Sequence, residues 1–161
     1  TLFLAAAVQE EVGSRGAKVV AQTLEPDMAV AMDTLPAADP ATPPQQATGE
    51  SGKGPVVRSM DVNAFGQGTL YSKKIRDRII RVAEENRIPY QRDIFRTWTD
   101  ASTIHTAGKG IPTGGIFIPR RYSHSPAELV KWSDMEHTAD LLGHFLEGLD
   151  SASIEDLIRK V

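Results

Sequence analysis

Residues 1–33, "TLFLAAAVQEEVGSRGAKVVAQTLEPDMAVAMD", contain two apolar runs with a segment of helical character between them. The runs, residues 2–8 and 28–32, have the length and composition typical of strands that are buried on both faces of a sheet. The segment between them opens at a glycine and closes at Pro26, as a short helix would. The stretch therefore predicts a strand, a helix and a second strand, which indicates an α/β fold.

The remaining sequence extends this pattern to a mixed, largely buried β-sheet with helices on both faces. Residues 55–62, 88–98 and 115–118 predict further strands, and residues 68–87 predict a helix. The apolar face of that helix comprises Ile75, Ile79, Val82 and Ala83. Residues 35–54 are rich in proline, glycine and alanine, so we expect a loop excursion inside a single domain of residues 1–161.

A second long helix is predicted over residues 134–149. Ser133 and Glu136 have the spacing of a capping box at its start. A short terminal helix is expected to open at Ser153. The expected buried stripe of the long helix consists of Met135, Ala139, Leu142, Phe145, Leu146 and Leu149.

Composition narrows the possible functions. A net charge of −3 gives no electrostatic basis for binding nucleic acid. The absence of cysteine excludes disulfides, thiolate zinc sites and a cysteine nucleophile, and we expect a cytoplasmic protein. No run is long and apolar enough to predict a membrane span. The chain begins without methionine, which suggests a truncated or processed polypeptide.

Four polar residues follow the apolar runs of the predicted sheet. Glu10 and Glu11 follow the first run, Asp33 follows the second, and His124 follows the third after a short interval. Catalytic groups and ligands gather at the carboxyl ends of strands in open α/β sheets. Carboxylate and imidazole are the ligands of catalytic zinc centres, and a neighbouring glutamate can act as general base. Together the four residues predict a metal site.

Each of these residues also has a simpler explanation. Glu10 and Glu11 could be two exposed charges, Asp33 a turn or helix cap, and His124 a structural histidine.

Asp100 and His105 lie near the expected sheet edge, where they could contact a substrate. The segment "GESGKGP" lacks the spacing of a phosphate-binding loop.

Several ordered motifs resemble those of the metal-dependent glutamyl and deblocking aminopeptidases, whose assembled forms are the tetrahedral, or TET, aminopeptidases. The motifs are "VQEEVGSRGA", "AMDTLPAADP", "GKGP" and "TDASTIHTAGKGIPTGGIFIPRRYSHSP". The resemblance implies a zinc-peptidase-like fold with two divalent metal ions, usually zinc and sometimes cobalt. It implies that Glu10 is the general base, that Glu11 and His124 bind one metal, and that Asp33 binds the other.

The resemblance covers only the C-terminal part of such a catalytic domain. The family's first histidine ligand, its metal-bridging aspartate and its dimerising β-rich domain belong to a more N-terminal region that these 161 residues lack. The loop after Asp33 also differs from the family's Asp-Thr-Pro-Gly-like turn. We therefore expect weak metal binding and little activity from this chain alone. Its expected partners are peptide substrates, the missing segment, and copies of itself in a dimer-based oligomer, up to a dodecamer.

Two other functions remain open. The chain could be a non-catalytic assembly or regulatory fragment that retains the fold. It could also be a glycoside hydrolase, because relatives have carried cellulase labels and paired carboxylates suit sugar hydrolysis. Aromatic residues make up only 6% of the sequence, which leaves few side chains to stack on sugars.

Overall fold

The computed structural model describes residues 1–38, 49–62, 68–95 and 97–158. These ranges contain five helices and six strands. In chain order they are α1 Arg15–Leu24, β1 Ala29–Pro36, β2 Val56–Val62, β3 Gly68–Leu70, α2 Lys73–Glu85, β4 Gln91–Phe95, α3 Ala101–Ile104, β5 Thr113–Arg121, β6 Leu129–Val130, α4 Trp132–Glu147 and α5 Ser151–Ile158.

The strands form one mixed sheet around β5 and β2. Strand β5 pairs in parallel with β1 and antiparallel with β2 and β6. Strand β2 pairs antiparallel with β3 and in parallel with β4. Asp33 of β1 lies opposite Phe117 of β5. The predicted mixed α/β sheet is confirmed.

Helices cover both faces of this sheet. On one face, α2, α4 and α5 pack on Val57 and Ile116, which are fully buried. On the other face, Ala101 of α3 packs with Phe117 and Tyr71. The predicted apolar stripe of α2 is confirmed, since its four residues are all buried, although the helix begins at Lys73 and residues 68–70 form β3.

The predicted first strand, residues 2–8, is wrong. These residues form no strand, and Leu2, Phe3 and Leu4 are 61%, 52% and 83% exposed. A strand is stabilised only when a neighbour pairs with its backbone, and no described strand pairs with residues 2–8. The described chain therefore opens with α1 and β1, without the first strand of the expected strand–helix–strand unit.

The predicted capping box of α4 is also wrong. The helix begins at Trp132, and its N-cap, Lys131, has no side-chain cap hydrogen bond. Asp134 instead accepts hydrogen bonds from the backbone N–H groups of Gly52 (2.6 Å) and Gly54 (2.9 Å). This fully buried carboxylate fastens α4 to the loop before β2.

The predicted buried stripe of α4 is confirmed only in part: Phe145 is buried, and Leu142, Leu146 and Leu149 are partly buried against the core. Met135 is 38% exposed, and Ala139 is also exposed. The buried residues are Asp134, Thr138, Leu141 and Phe145.

The predicted loop of residues 35–54 is confirmed only in part. Leu35 and Pro36 belong to β1, residues 49–54 form a loop held by Asp134, and residues 39–48 lie outside the described ranges.

The predicted terminal helix is present as α5, where Asp150 and Ser153 exchange hydrogen bonds of 2.8 Å. Within the described ranges no helix has both the length and the apolar character needed to cross a bilayer.

Candidate active site

A compact turn, rather than a strand end, presents Glu10 and Glu11. The carbonyl of Glu10 accepts hydrogen bonds from the N–H groups of Gly13 (3.0 Å) and Ser14 (2.9 Å), and the carbonyl of Val8 accepts one from Gly16 (3.0 Å). Gly13 has φ 111°, a conformation that suits a residue without a Cβ atom. The turn leads directly into α1, so that helix fixes the position of both glutamates.

The four predicted metal-site residues line one cleft of about 520 Å³. Glu10 and Glu11 enter it from the turn before α1, Asp33 from β1, and His124 from the loop after β5. Asp33 lies inside β1 rather than beyond its end, because the strand continues to Pro36. The other lining residues are Gly13, Thr34, Pro36, Thr97, Trp98, Arg120 and Ser123.

Glu11 and His124 are close enough to share one cation. Oε1 of Glu11 lies 3.7 Å from Nδ1 of His124, and both side chains are well exposed. Two ligand atoms at ordinary Zn–O and Zn–N lengths in a tetrahedral site are about 3.4 Å apart, so a small adjustment suffices. In the described ranges, however, no three His, Asp or Glu side chains converge on a single metal position. The residues present therefore fit part of a metal site.

The cleft raises the pKa values of its carboxyl groups. The pKa of Glu10 rises from 4.5 to about 7, first because the group is partly buried and then because Asp33, Glu11 and Asp100 place negative charge nearby. Burial also raises the pKa of Asp33, against the lowering effect of the Thr34 N–H, which donates to its Oδ1 at 2.6 Å. Crowded carboxylates favour the binding of cations or protons, because either relieves their repulsion.

Ser14 joins the glutamate turn to the opposite wall of the cleft. Its side chain is buried, and its Oγ accepts a hydrogen bond of 3.0 Å from Nε1 of Trp98, a lining residue. Its carbonyl accepts one of 3.4 Å from Oγ1 of Thr103. The Ser14 hydroxyl also donates a hydrogen bond to the Asp100 carboxylate. This bond lowers the pKa of Asp100, but burial raises that pKa by more, so the net shift is upward.

The two predicted substrate-contact residues, Asp100 and His105, are not among the residues that line the cleft. Asp100 is the N-cap residue of α3, and one of its oxygens is buried with no partner in the described chain. His105 ends α3, where Nδ1 donates to the carbonyl of Ala101 at 2.9 Å. The residues that line the cleft include neither side chain, and the structure gives no contact that makes them substrate ligands.

Sequence reasoning did not identify Arg120, Ser123 or Trp98 as cleft residues. Arg120 could have been found, because it follows the apolar run of β5 just as His124 does. Trp98 had no such signal, since the hydrogen bond to Ser14 places it there.

A profile of the M42 glutamyl aminopeptidase family matches residues 1–141. The chain belongs to this family. It is 36% identical over 143 residues to a putative aminopeptidase of Acetivibrio thermocellus, covering 88% of this chain and 41% of the relative. It is 35% identical over 150 residues to a lysyl aminopeptidase of Pyrococcus furiosus, and the match covers 92% of this chain and 41% of that relative. The M42 chain described here thus spans about two fifths of these relatives.

Solved structures of M42-like aminopeptidases share the fold. Aminopeptidase APDkam598 from Desulfurococcus kamchatkensis superposes with a TM-score of 0.89 and 37% identity, over 97% of this chain and 43% of that one. The TET1 peptidase of Pyrococcus horikoshii can assemble into a tetrahedron or a large octahedral shell. It superposes with a TM-score of 0.73 and 31% identity, over 89% of this chain and 40% of that one.

Proposed function

We propose that this chain supplies part of the active site of a metal-dependent aminopeptidase, which removes N-terminal residues from peptides. The observation that supports the proposal is the meeting of Glu10, Glu11, Asp33 and His124 around one cleft. These residues lie on separate segments of the chain, and their carboxylate and imidazole groups suit divalent zinc or cobalt. Membership of the M42 family supports the same reaction class.

The residues divide into two incomplete ligand sets. Glu11 and His124 would hold one cation, and Asp33 would hold a second. Bound divalent cations would polarise the scissile carbonyl and lower the pKa of the attacking water. Because catalytic zinc ordinarily has three protein ligands, we propose that further ligands come from an N-terminal segment corresponding to the rest of the relatives' length.

Glu10 would act as the general base and then as the general acid. Its carboxylate takes a proton from the attacking water and delivers that proton to the departing amine. Partial burial among other carboxylates suits this role, since it raises the affinity of Glu10 for the proton that it must carry. Trp98 and Thr97 also line the cleft.

The test compares this chain alone with a completed enzyme, in which the chain is joined to the N-terminal segment encoded upstream of it. Both are freed of metal, titrated with Zn²⁺ or Co²⁺ by calorimetry, and assayed with aminoacyl p-nitroanilides. We expect the completed enzyme to bind two ions per chain and to be inactivated by a chelator. The chain alone should bind metal more weakly, and its hydrolysis should be near background.

Two results would contradict the proposal. A completed protein that neither binds metal nor hydrolyses aminoacyl substrates would favour a non-catalytic assembly or regulatory role. Cleavage of a glucan that continues in the presence of chelator would favour a glycoside hydrolase.

We also propose that the completed enzyme forms a large homo-oligomer, since the similar TET1 peptidase assembles into closed shells. Its molar mass in sedimentation would test this.

A further inference from the structure

Resting on the proposed aminopeptidase function, we infer that Trp98 determines specificity by contacting an apolar side chain of the peptide next to the scissile bond, and that the Ser14 hydroxyl positions its indole ring. The family is named for glutamyl residues and one relative for lysyl residues, so neither name carries this preference. The inference is drawn from the surface that Trp98 adds to the cleft and from the hydrogen bonds of Ser14.

Trp98 has the largest apolar side chain among the described residues that line the cleft. Apart from Gly13 and Pro36, the other lining residues have carboxylate, guanidinium, imidazole or hydroxyl side chains. The indole is half-buried, and its only polar atom, Nε1, already donates to Oγ of Ser14 at 3.0 Å. The surface that it can offer a ligand is therefore apolar and aromatic.

The hydrogen bonds of Ser14 are unusual for its place in the fold. Ser14 is the N-cap residue of α1, yet its side chain makes no cap hydrogen bond. Serine is favoured at this position because its oxygen ordinarily accepts from a backbone N–H group in the first turn of the helix. Here that oxygen accepts from Trp98, and the hydroxyl donates to the Asp100 carboxylate. The side chain that could cap α1 instead holds the indole.

The backbone of Ser14 supports the same interpretation. Its φ of 50° and ψ of 40° are left-handed, a conformation that glycine adopts at lower cost. Strained positions of this kind persist where the surrounding contacts fix them. Ser14 is fully buried, and the contacts that glycine would lack there are those with Trp98 and Asp100. The serine hydroxyl therefore has a positioning role that glycine could not fill.

The chain on the other side of Trp98 is held as well. Thr99 is buried, its Oγ1 donates to Asp61 at 3.0 Å, and its N–H donates to Oγ of Ser102 at 3.4 Å. The tryptophan is thus fixed both at Nε1 and at the adjacent backbone. A group that is fixed in advance loses little conformational entropy when a ligand binds, so more of the contact energy appears as affinity.

An apolar side chain is the substrate group that suits this surface. Its contact with the indole removes apolar surface of both partners from water, which is favourable without any further hydrogen bond. A polar amide of the same shape would lose hydrogen bonds to water and gain none from the indole. The apolar side chain can belong to the first or to the second residue of the peptide, since these two flank the scissile bond.

The test uses the completed, metal-loaded enzyme and two pairs of alanine-based tripeptides, with leucine or asparagine at the first position in one pair and at the second position in the other. Leucine and asparagine have nearly the same shape, so the ratio of their kcat/KM values isolates the effect of polarity. We expect this ratio to exceed about 10 in one pair and to fall to near one in Trp98→Ala. The pair that responds identifies the residue that Trp98 contacts.

Ser14→Gly tests the positioning role separately. Glycine suits the left-handed backbone but removes the acceptor of Nε1, so it frees the indole while relieving the strain at this position. We expect the leucine-to-asparagine ratio to fall by about 3- to 10-fold, as for the loss of one neutral hydrogen bond. A merely structural link would change the free energy of unfolding and leave this ratio unchanged.

Two further variants control for fold and for tryptophan content. Trp132→Ala removes a tryptophan that is 68% exposed on α4 and does not line the cleft, and it should leave both ratios unchanged. Trp98→Phe retains an aromatic ring but loses Nε1, so an intermediate ratio is expected. This variant also serves if Trp98→Ala does not fold.

The outcomes separate the two proposals. Hydrolysis with a ratio near one in both pairs, or a ratio that the Trp98 variants leave unchanged, overturns the specificity inference alone. A ratio that falls in the Trp98 variants but not in Ser14→Gly overturns the positioning role of Ser14. Failure to hydrolyse any aminoacyl substrate overturns the aminopeptidase proposal and the inference with it.

Discussion

Unusual backbone conformations occur at individual residues in the two segments that carry the cleft glutamates and His124. Gln9, Ser14, Tyr122 and His124 all have φ between 50° and 61°, a left-handed conformation that costs residues with side chains about 1 kcal/mol or more. Surrounding contacts must offset that cost. The buried hydroxyl of Ser14 and the Glu128 hydrogen bond to His124 N–H do so at two of these positions.

Replacing Glu10 with glutamine tests its role as the base. Glutamine has the same shape but cannot carry the proton, so we expect kcat of the completed enzyme to fall by about 10²- to 10⁴-fold. Metal content, measured by plasma emission spectrometry, should stay close to that of the wild type. Equal loss of metal and activity would mean that Glu10 is a ligand and that the roles of Glu10 and Glu11 are exchanged.

Ser14→Ala tests the link between the two walls of the cleft. The change removes the acceptor of Trp98 Nε1 and leaves that N–H without its partner, so we expect a loss of about 1–3 kcal/mol in the free energy of unfolding. Urea denaturation followed by tryptophan fluorescence would measure it. Ser151→Ala, at an exposed position in α5, is the control and should change stability by less than about 0.5 kcal/mol.

At the scale of elements, a buried polar network joins β2 to β4 and to the segment before α3. Arg58 is fully buried, donates from NH1 to Asp61, and donates from Nε and NH2 to Asp93. Asp61 also accepts from Tyr71 and from Thr99. The network fixes the chain just after Trp98, so the sheet core supports the cleft wall.

Removing Asp61 should therefore destabilise the fold strongly. Asp61→Ala removes one of the two carboxylates that pair with the buried Arg58 guanidinium, together with the shared acceptor of the Tyr71 and Thr99 hydroxyls, and we expect a loss of about 3–5 kcal/mol. Asp156→Ala removes an exposed aspartate that pairs with Lys74 at 3.6 Å, and it should cost less than about 1 kcal/mol. Similar urea midpoints for the two variants would contradict this account of the network.

A surface pair on α2 gives a pH-dependent prediction. The hydrogen bond from Lys73 lowers the pKa of Asp77 below its ordinary value of 3.8. A lowered folded-state pKa adds stability above pH 3.8, and this stability is lost as the pH falls through the folded value. Asp77→Asn should cost about 0.3–0.5 kcal/mol at pH 7. Denaturation curves of the two proteins should converge below pH 3.8, and a constant difference would contradict the assignment.

The sequence predicts those elements whose burial can be recognised from the spacing and composition of their own residues. The stripe of α2 and the apolar runs of β1 and β5 identify their elements, because period and composition report burial directly. The same composition misidentified residues 2–8, since an apolar run shows capacity for burial but not the presence of a neighbouring strand. The capping box failed because Asp134 bonds to Gly52 and Gly54, which are 82 and 80 residues away in the chain.

The cleft was predictable in outline for a similar reason. Glu10, Glu11, Asp33 and His124 could be selected by residue type and by their positions after apolar runs, and the structure places them around one space. Arg120 also follows an apolar run and could have been selected on that ground, whereas Trp98 could not, because the hydrogen bond that orients it comes from Ser14 in a distant segment.

At the scale of the whole molecule, the exposed apolar side chains include several in the N-terminal segment and Met32 of β1. Strand β1 pairs only with β5 among the described strands, so its other edge has unpaired backbone groups. Met32 on this strand is 47% exposed, and Leu2, Phe3 and Leu4 of the N-terminal segment are 61%, 52% and 83% exposed. Open strand edges and contiguous apolar patches promote association.

We therefore expect the chain alone to self-associate through this edge. Met32→Lys places a charge there and should raise the apparent dissociation constant at least about tenfold, equivalent to about 1.4 kcal/mol. Val19→Lys, at a 60% exposed position on α1, is the matched control and should have little effect. Sedimentation velocity over a range of concentrations would measure both. A wild-type chain that stays monomeric throughout would contradict the prediction.

The Glu128 carboxylate also couples two positions of the chain in evolution. One of its oxygens serves the His124 loop and the other serves Arg120. A mutation that removes the guanidinium at position 120 leaves the Glu128 carboxylate without its cationic partner, next to the loop that carries His124. Lineages that exchange the arginine at position 120 should therefore carry a compensating exchange at position 128, so that the two positions are inherited as a pair.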